Sequence, residues 1–144
     1  MNHTDEWASP YDGPQSTGIQ VLSPDGSFST ATVRWWVENG YELVLEHEGR
    51  QTHASALDYF EAFQQARRRF EADGFRFLCY GASRNAFASG MARDMGLGLN
   101  VYLITPGEAP ERIVHIFDSG PDVIPATVDE NWAFIQEWVR TDWG

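Results

Sequence analysis

Two alternating runs, F-S-T-A-T-V-R-W-W-V (28–37) and Y-E-L-V-L-E-H (41–47), flank the tripeptide E-N-G and constrain this chain more than any other feature. Alternation with a period of two marks strands with one buried face, so the pair reads as a β-hairpin. Side-chain faces decide the loop length. A two-residue Asn39-Gly40 turn would pair Glu38 with Tyr41 and leave both faces mixed. A three-residue Glu38-Asn39-Gly40 loop, with Gly40 as a left-handed bulge residue, pairs Val37 with Tyr41. Val33, Trp35, Val37, Tyr41, Leu43 and Leu45 then share one face, and Thr32, Arg34, Trp36, Glu42, Val44 and Glu46 share the other. A slip of one residue would exchange the faces, so the longer loop is predicted. On the outer face Trp36 is either half-covered by its neighbours or, with Glu42 and Glu46, an anchor for a protein partner.

The rest of the chain supplies what that hairpin must pack against. Residues 1–16, rich in Asp, Gly, Pro and Ser, read as a flexible lead-in, and 17–144 as a single domain. Ile19 to Leu22 is a short strand ending at the turn S-P-D-G. A helix is expected over Ser55–Asp73, capped by Ser55, with Leu57, Phe60, Phe63, Arg67 and Phe70 at helical spacing and Gly74 as its stop. In that setting Arg67, Arg68 and Arg69 fan around the helix as a solvated face. Three strands follow, at Phe75–Tyr80, Leu99–Ile104 and Arg112–Asp118. Thr127 opens a last helix with Glu130 at the capping-box position, and Val128, Trp132, Ile135 and Val139 form its expected stripe. The order hairpin, helix, three strands, helix gives an α+β fold: a mainly antiparallel sheet with two helices packed on it.

Between the first two of those three strands lies Y-G-A-S-R-N-A-F-A-S-G-M-A-R-D-M-G-L-G (80–98), which reads poorly as helix or strand. It holds four glycines and the densest cluster of hydrogen-bonding side chains, and long polar loops of this kind are usually functional. Phe87, Met91 and Met95 are its expected apolar anchors. Arg84 and Arg93 could clamp a carboxylate or phosphate, since guanidinium forks match those anions. Asn85, Ser89 and Asp94 stand beside them, and Asp118, at a strand end, could orient one arginine. The competing reading makes Arg93 and Asp94 braces that hold the loop through its backbone.

Charge divides sharply along the chain. The net −11 is made of −8 over residues 1–66, +4 over 67–93 and −7 over 94–144, and all ten basic residues are arginine. So acidic a balance disfavours nucleic acid and anionic membranes, and favours a basic protein partner. The N-terminus M-N-H-T-D-E-W lacks an apolar core, no apolar run is long enough to span a bilayer, and the lone Cys79 permits no internal disulfide, so a cytoplasmic location is expected. Dinucleotide, Walker and nucleophile-elbow signatures all fail. His3, His47, His53 and His115 show no zinc spacing, so neither a metal nor a cofactor is expected. Cys79 and His115, each in an apolar strand, read as core residues.

The string S-G-M-A-R-D-M-G-L-G followed by N-V-Y-L resembles a family of small bacterial proteins sharing S-G-M-x-R-D-M-G-x-G-x-x-x-Y, an I-F-D strand end and a tryptophan-bearing last helix. Here those positions are Ser89, Gly90, Met91, Arg93, Asp94, Met95, Gly96, Gly98, Tyr102, Asp118 and Trp138. The resemblance covers the C-terminal two-thirds and brings no established activity or catalytic residues. In size and acidity the chain is also similar in build to immunity proteins that neutralise bacterial toxins. Two functions are therefore expected to compete: a cytoplasmic immunity-type inhibitor of a basic toxin or effector domain, and a small-anion module or enzyme built on the loop 81–98.

Overall fold

The computed structural model describes residues 14–143, with side chains to 141. Most of the expected lead-in lies outside the described residues, but its end does not: β1 (Gln15–Leu22) begins two residues inside it. β2 (Phe28–Val37) and β3 (Tyr41–His47) form the hairpin, and Val37 pairs with Tyr41 as the face argument requires. Val33, Trp35, Leu43 and Leu45 are buried on the inner face. The expected left-handed Gly40 is not found; its φ lies outside that region, and the Glu38 amide closes the loop on the Gly40 carbonyl at 3.1 Å.

The strand after the hairpin has no counterpart in the sequence reading. β3 turns through Glu48 (φ 51°) and Gly49 (φ 83°) into β4 (Arg50–Ala56), both turn residues adopting the positive φ that a tight hairpin turn demands. Ser55 therefore belongs to a strand. The helix α1 (Tyr59–Ala72) starts four residues later and is capped by Asp58, whose carboxylate accepts the Glu61 amide at 2.8 Å. The strand expected at 75–80 shortens to β5 (Arg76–Phe77), which pairs with β1 and completes a wholly antiparallel sheet in the order β4-β3-β2-β1-β5. Past it the chain makes a single 3-10 turn, Tyr80–Ala82, where a Cβ on Gly81 would lie 2.8 Å from the Cβ of Ile116.

A second, three-stranded antiparallel sheet is built from β6 (Ala86–Phe87), β7 (Asn100–Leu103) and β8 (Ile113–His115). A short helix, α2 (Gly90–Gly96), joins β6 to β7. The last helix, α3 (Val128–Trp138), continues as a π-helical turn over Val139–Trp143. The class is α+β as expected, with two sheets and three helices among the described residues in place of one sheet and two.

The main core fills the space between the inner face of the large sheet and α1. Phe63 sits at its centre, edge-on to Phe77 and Phe117 at 6.1 and 5.2 Å. Cys79 is fully buried there, and burial pushes its thiol up to about 12. A satellite core under the small sheet joins Ile104, Ile135 and Trp138 to Phe87, Tyr102 and Phe134. The capping box of α3 forms as expected, but its stripe is rotated. Val128, Asn131, Ile135 and Trp138 are buried, whereas Trp132 and Val139 are 64% and 41% exposed. Among the described residues no helix is long and apolar enough to cross a membrane.

Candidate functional site

The glycine-bearing stretch 80–98 is more ordered in backbone than its composition suggests, because its polar residues are used to build it. Ser89 caps α2, its hydroxyl accepting the Ala92 amide at 3.1 Å. Leu97 closes the helix in the left-handed conformation (φ 58°). Gly98 (φ 77°) follows it, and a Cβ there would lie 2.8 Å from both Asp58 Oδ1 and the Phe60 nitrogen. This absence of a side chain brings the end of α2 against the start of α1, where the Tyr59 amide donates to the Leu97 carbonyl at 2.9 Å.

Arg93 fastens the same junction. Its guanidinium donates to Asp58 Oδ2 at 2.7 Å, and its Nε donates to the Ala88 carbonyl at 3.4 Å. Asp58 is buried and thus serves two helices, capping one and pairing with the other. Arg84 lies elsewhere, exposed, with its guanidinium 5.5 Å above the ring of Phe134 on α3. Asp94 and Asp118 are exposed and form no ion pair among the described residues. Asn85 is half-buried, its amide donating to the Ile104 carbonyl at 3.0 Å and its oxygen accepting from Ser83 Oγ at 2.7 Å. Met91 and Met95, expected as anchors, are 72% and 79% exposed. Phe87 alone packs inward, against Trp138 at 5.3 Å.

The solvated arginine face expected on α1 also changes character. Arg67 is fully buried beside Phe63 and pairs with Glu71 one turn along. The same two side chains reach the start of α3: Arg67 donates to the Ala126 carbonyl at 3.0 Å, and Glu71 accepts the Val128 amide at 3.0 Å. Burial pushes the Glu71 carboxyl up and the Arg67 guanidinium down, against their mutual attraction. Arg68 pairs with Asp129.

The outer face of the large sheet holds a constellation that the sequence reading saw only in part. Trp36 is half-buried, stacked on His53 at 5.9 Å, with Arg34 5.4 Å above its ring and its Nε1 donating to Glu38 at 3.2 Å. Glu42 is buried, accepting from His53 Nε2 at 2.8 Å and Ser55 Oγ at 2.9 Å. Burial raises the Glu42 carboxyl, but the hydrogen bonds from His53 and Ser55 outweigh it and leave the group below its ordinary value. Glu46 is exposed. Glu42 thus holds the exposed His53 ring stacked against Trp36, and Glu46 faces outward. No periodic signal pointed to His53, because it is brought in by β4.

A second unforeseen cluster is Tyr80, Arg112 and Asp122. The Tyr80 hydroxyl donates to Asp122 at 2.8 Å and accepts from Arg112 at 3.1 Å, and Arg112 pairs with Asp122. The hydrogen bond to Asp122 raises the Tyr80 phenol and lowers the Asp122 carboxyl. His115, expected in the core, is half-buried at its edge. Its Nδ1 accepts the Phe117 amide at 3.1 Å, its ring lies 5.8 Å from Phe117, and burial pushes its basicity down. No protein-family model matches this chain, and no curated protein matches it.

Proposed function

We propose that this chain is an immunity-type binding protein that neutralises a basic toxin or effector domain in the cytoplasm. The observation that carries this reading is the fate of the arginines. Six of the ten are tied to carboxylates: Arg50 to Asp73, Arg67 to Glu71, Arg68 to Asp129, Arg93 to Asp58, Arg112 to Asp122 and Arg140 to Glu137. Within the basic island of residues 67–93, Arg67, Arg68 and Arg93 are paired with carboxylates while Arg69, Arg76 and Arg84 have no ion pair among the described residues, and the net charge of the chain stays at −11. An anion clamp would need Arg93, whose guanidinium is committed to Asp58, and Arg84, which lies over Phe134. A net acidic surface attracts a basic protein and speeds its association. The outer sheet face adds an amphipathic anchor in Trp36, with Glu46 farther along the same face, opposite Thr32.

The test is coexpression with the products of neighbouring genes. A stoichiometric complex with one basic product, released as salt rises and abolishing that product's toxicity, is the expected result. Neighbouring products that neither bind nor become harmless in its presence would contradict the reading.

A further inference from the structure

We propose that Asn39-Gly40, in the loop of the central hairpin, is a site of spontaneous deamidation whose isoaspartyl product remodels the outer face of the large sheet. The inference goes beyond the binding reading and stands whether or not that face meets a partner. Deamidation requires the backbone nitrogen of the following residue to reach the asparagine side-chain carbon. Glycine is the best follower, because it has no Cβ to hinder that approach.

Both reacting groups are free here. Asn39 is exposed, and its carboxamide makes no hydrogen bond among the described residues. The Gly40 N–H donates to nothing among the described residues; only its carbonyl is engaged, by the Glu38 amide at 3.1 Å. Pairs open to the same ring closure are blocked elsewhere. In Asp25-Gly26 the glycine N–H donates to the Ser23 carbonyl at 2.9 Å, and in Asp73-Gly74 to the Glu71 carbonyl at 3.0 Å. The side chain of Asn85 is held by Ser83 and Ile104, and the amide that follows it donates to the Ser83 carbonyl at 3.1 Å. Asn131 is buried, its amide bound to the carbonyls of Arg84 and Ala86. Packing keeps the susceptible pair in place: a Cβ on Gly40 would lie 2.9 Å from Ser55 Oγ and 3.4 Å from the Ala56 carbonyl oxygen.

The reaction needs only water. The Gly40 nitrogen bonds to Asn39 Cγ, the Cγ–Nδ2 bond breaks, and ammonia leaves with the former Gly40 proton. Water then opens the succinimide so formed. Attack at the side-chain carbonyl gives aspartate; attack at the main-chain carbonyl gives isoaspartate, which routes the chain through one extra methylene. Either product replaces a neutral amide by a carboxylate next to Glu38. The isoaspartyl methylene also displaces the Gly40 carbonyl that closes the loop onto Glu38, and Glu38 is the residue that receives the Trp36 Nε1 proton at 3.2 Å. Trp36 thereby loses its fixed place on the outer face.

Ageing of the full chain at physiological temperature and mildly alkaline pH tests this, read by peptide mass spectrometry and by the Trp36 indole N–H signal in NMR, assigned with Trp36→Phe. The Asn39 peptide is expected to gain about 1 Da, mainly as isoaspartate, several times faster than the peptides of Asn85, Asn100 and Asn131. Ion exchange should resolve an aged species with one more negative charge and a displaced Trp36 signal. Asn39→Gln, whose side chain would have to close a larger, slower-forming ring, should not change. Freshly purified Asn39→Asp adds the charge without the methylene and should keep the wild-type Trp36 signal. An Asn39 that keeps its amide as long as Asn131 does overturns the proposal. So does an isoaspartyl species whose Trp36 signal coincides with that of the unaged protein.

Discussion

The two halves of this molecule are held together by different physics. The five-stranded sheet and α1 are joined by apolar burial: Val21, Val33, Leu43, Leu45, Phe63, Phe70 and Phe77 are all essentially inaccessible. The small sheet, with strands of two to four residues, cannot bury enough surface to stand alone. Ala86 and Val101 carry it into the main core, and polar joints tie it down further. Arg67 and Glu71 hold the start of α3. Asn131 donates one amide group to the carbonyls of Arg84 and Ala86 at 2.7 and 2.9 Å, and more weakly to Ser83. Ser83 Oγ accepts the Ile124 amide at 2.9 Å. Arg93 and Asp58 join α2 to α1. Burial tolerates repacking, whereas a buried polar joint fails when one partner is removed.

The contrast can be broken first at its largest joint. Glu71→Ala leaves Arg67 buried without its counter-charge and should cost about 3–5 kcal/mol in urea unfolding. Replacing both members, Arg67→Met with Glu71→Leu, should recover most of that loss, since an apolar pair of similar volume removes the stranded charge. If the double variant is as unstable as the single one, the joint is more than an ion pair. Next in size, Asn131→Ala strips the carbonyls of β6 and its approach of their donor, and should cost roughly 2–3 kcal/mol. Amide exchange should accelerate in the small sheet while the large sheet keeps its protection; uniform acceleration would mean that the halves unfold as one unit.

Smaller effects follow from protonation. The folded His115 imidazole is held below its ordinary value of 6.5 by burial, so the stability it lends is present above 6.5 and is lost as pH falls through the lower folded value. His115→Phe should flatten that part of a stability-versus-pH curve. Glu42 has the same sign lower down: its folded carboxyl lies below 4.5, so its contribution is complete above 4.5 and fades in stronger acid. His53→Ala should shrink that acid-side slope, with a loss near neutrality of only about 0.5 kcal/mol, because the imidazole is exposed.

The same contrast explains what could be read from the sequence. The hairpin register, the helical spacing of Phe60, Phe63 and Phe70, and the Thr127–Glu130 capping box follow from periodicities and local contacts, and they hold in the structure. β4 was hidden because its inward residues, Thr52, Ala54 and Ala56, are small and weakly apolar, so Ser55 looked like a cap. Arg67 lies on the apolar stripe of α1, yet its burial is not legible locally, because the Ala126 and Val128 backbone groups that complete its site lie 59 and 57 residues beyond their partners. The string 80–98 showed its chemistry without its purpose: nothing local says that Asp58, 35 residues earlier, takes up Arg93. The outer-face cluster was half visible, in Trp36, Glu42 and Glu46; His53 needed a strand that the sequence did not declare.

The central claim is that the arginine of the S-G-M-A-R-D-M-G string is committed to holding two helices together, so that the binding surface lies elsewhere. Urea unfolding of wild type and Arg93→Ala, each with and without saturating inorganic phosphate, tests it most directly. The account predicts a loss of roughly 2 kcal/mol on substitution, from the stranded and buried Asp58, with phosphate shifting neither protein. A variant as stable as wild type, paired with a phosphate stabilisation seen only in the wild type, would contradict it and make the string an anion site.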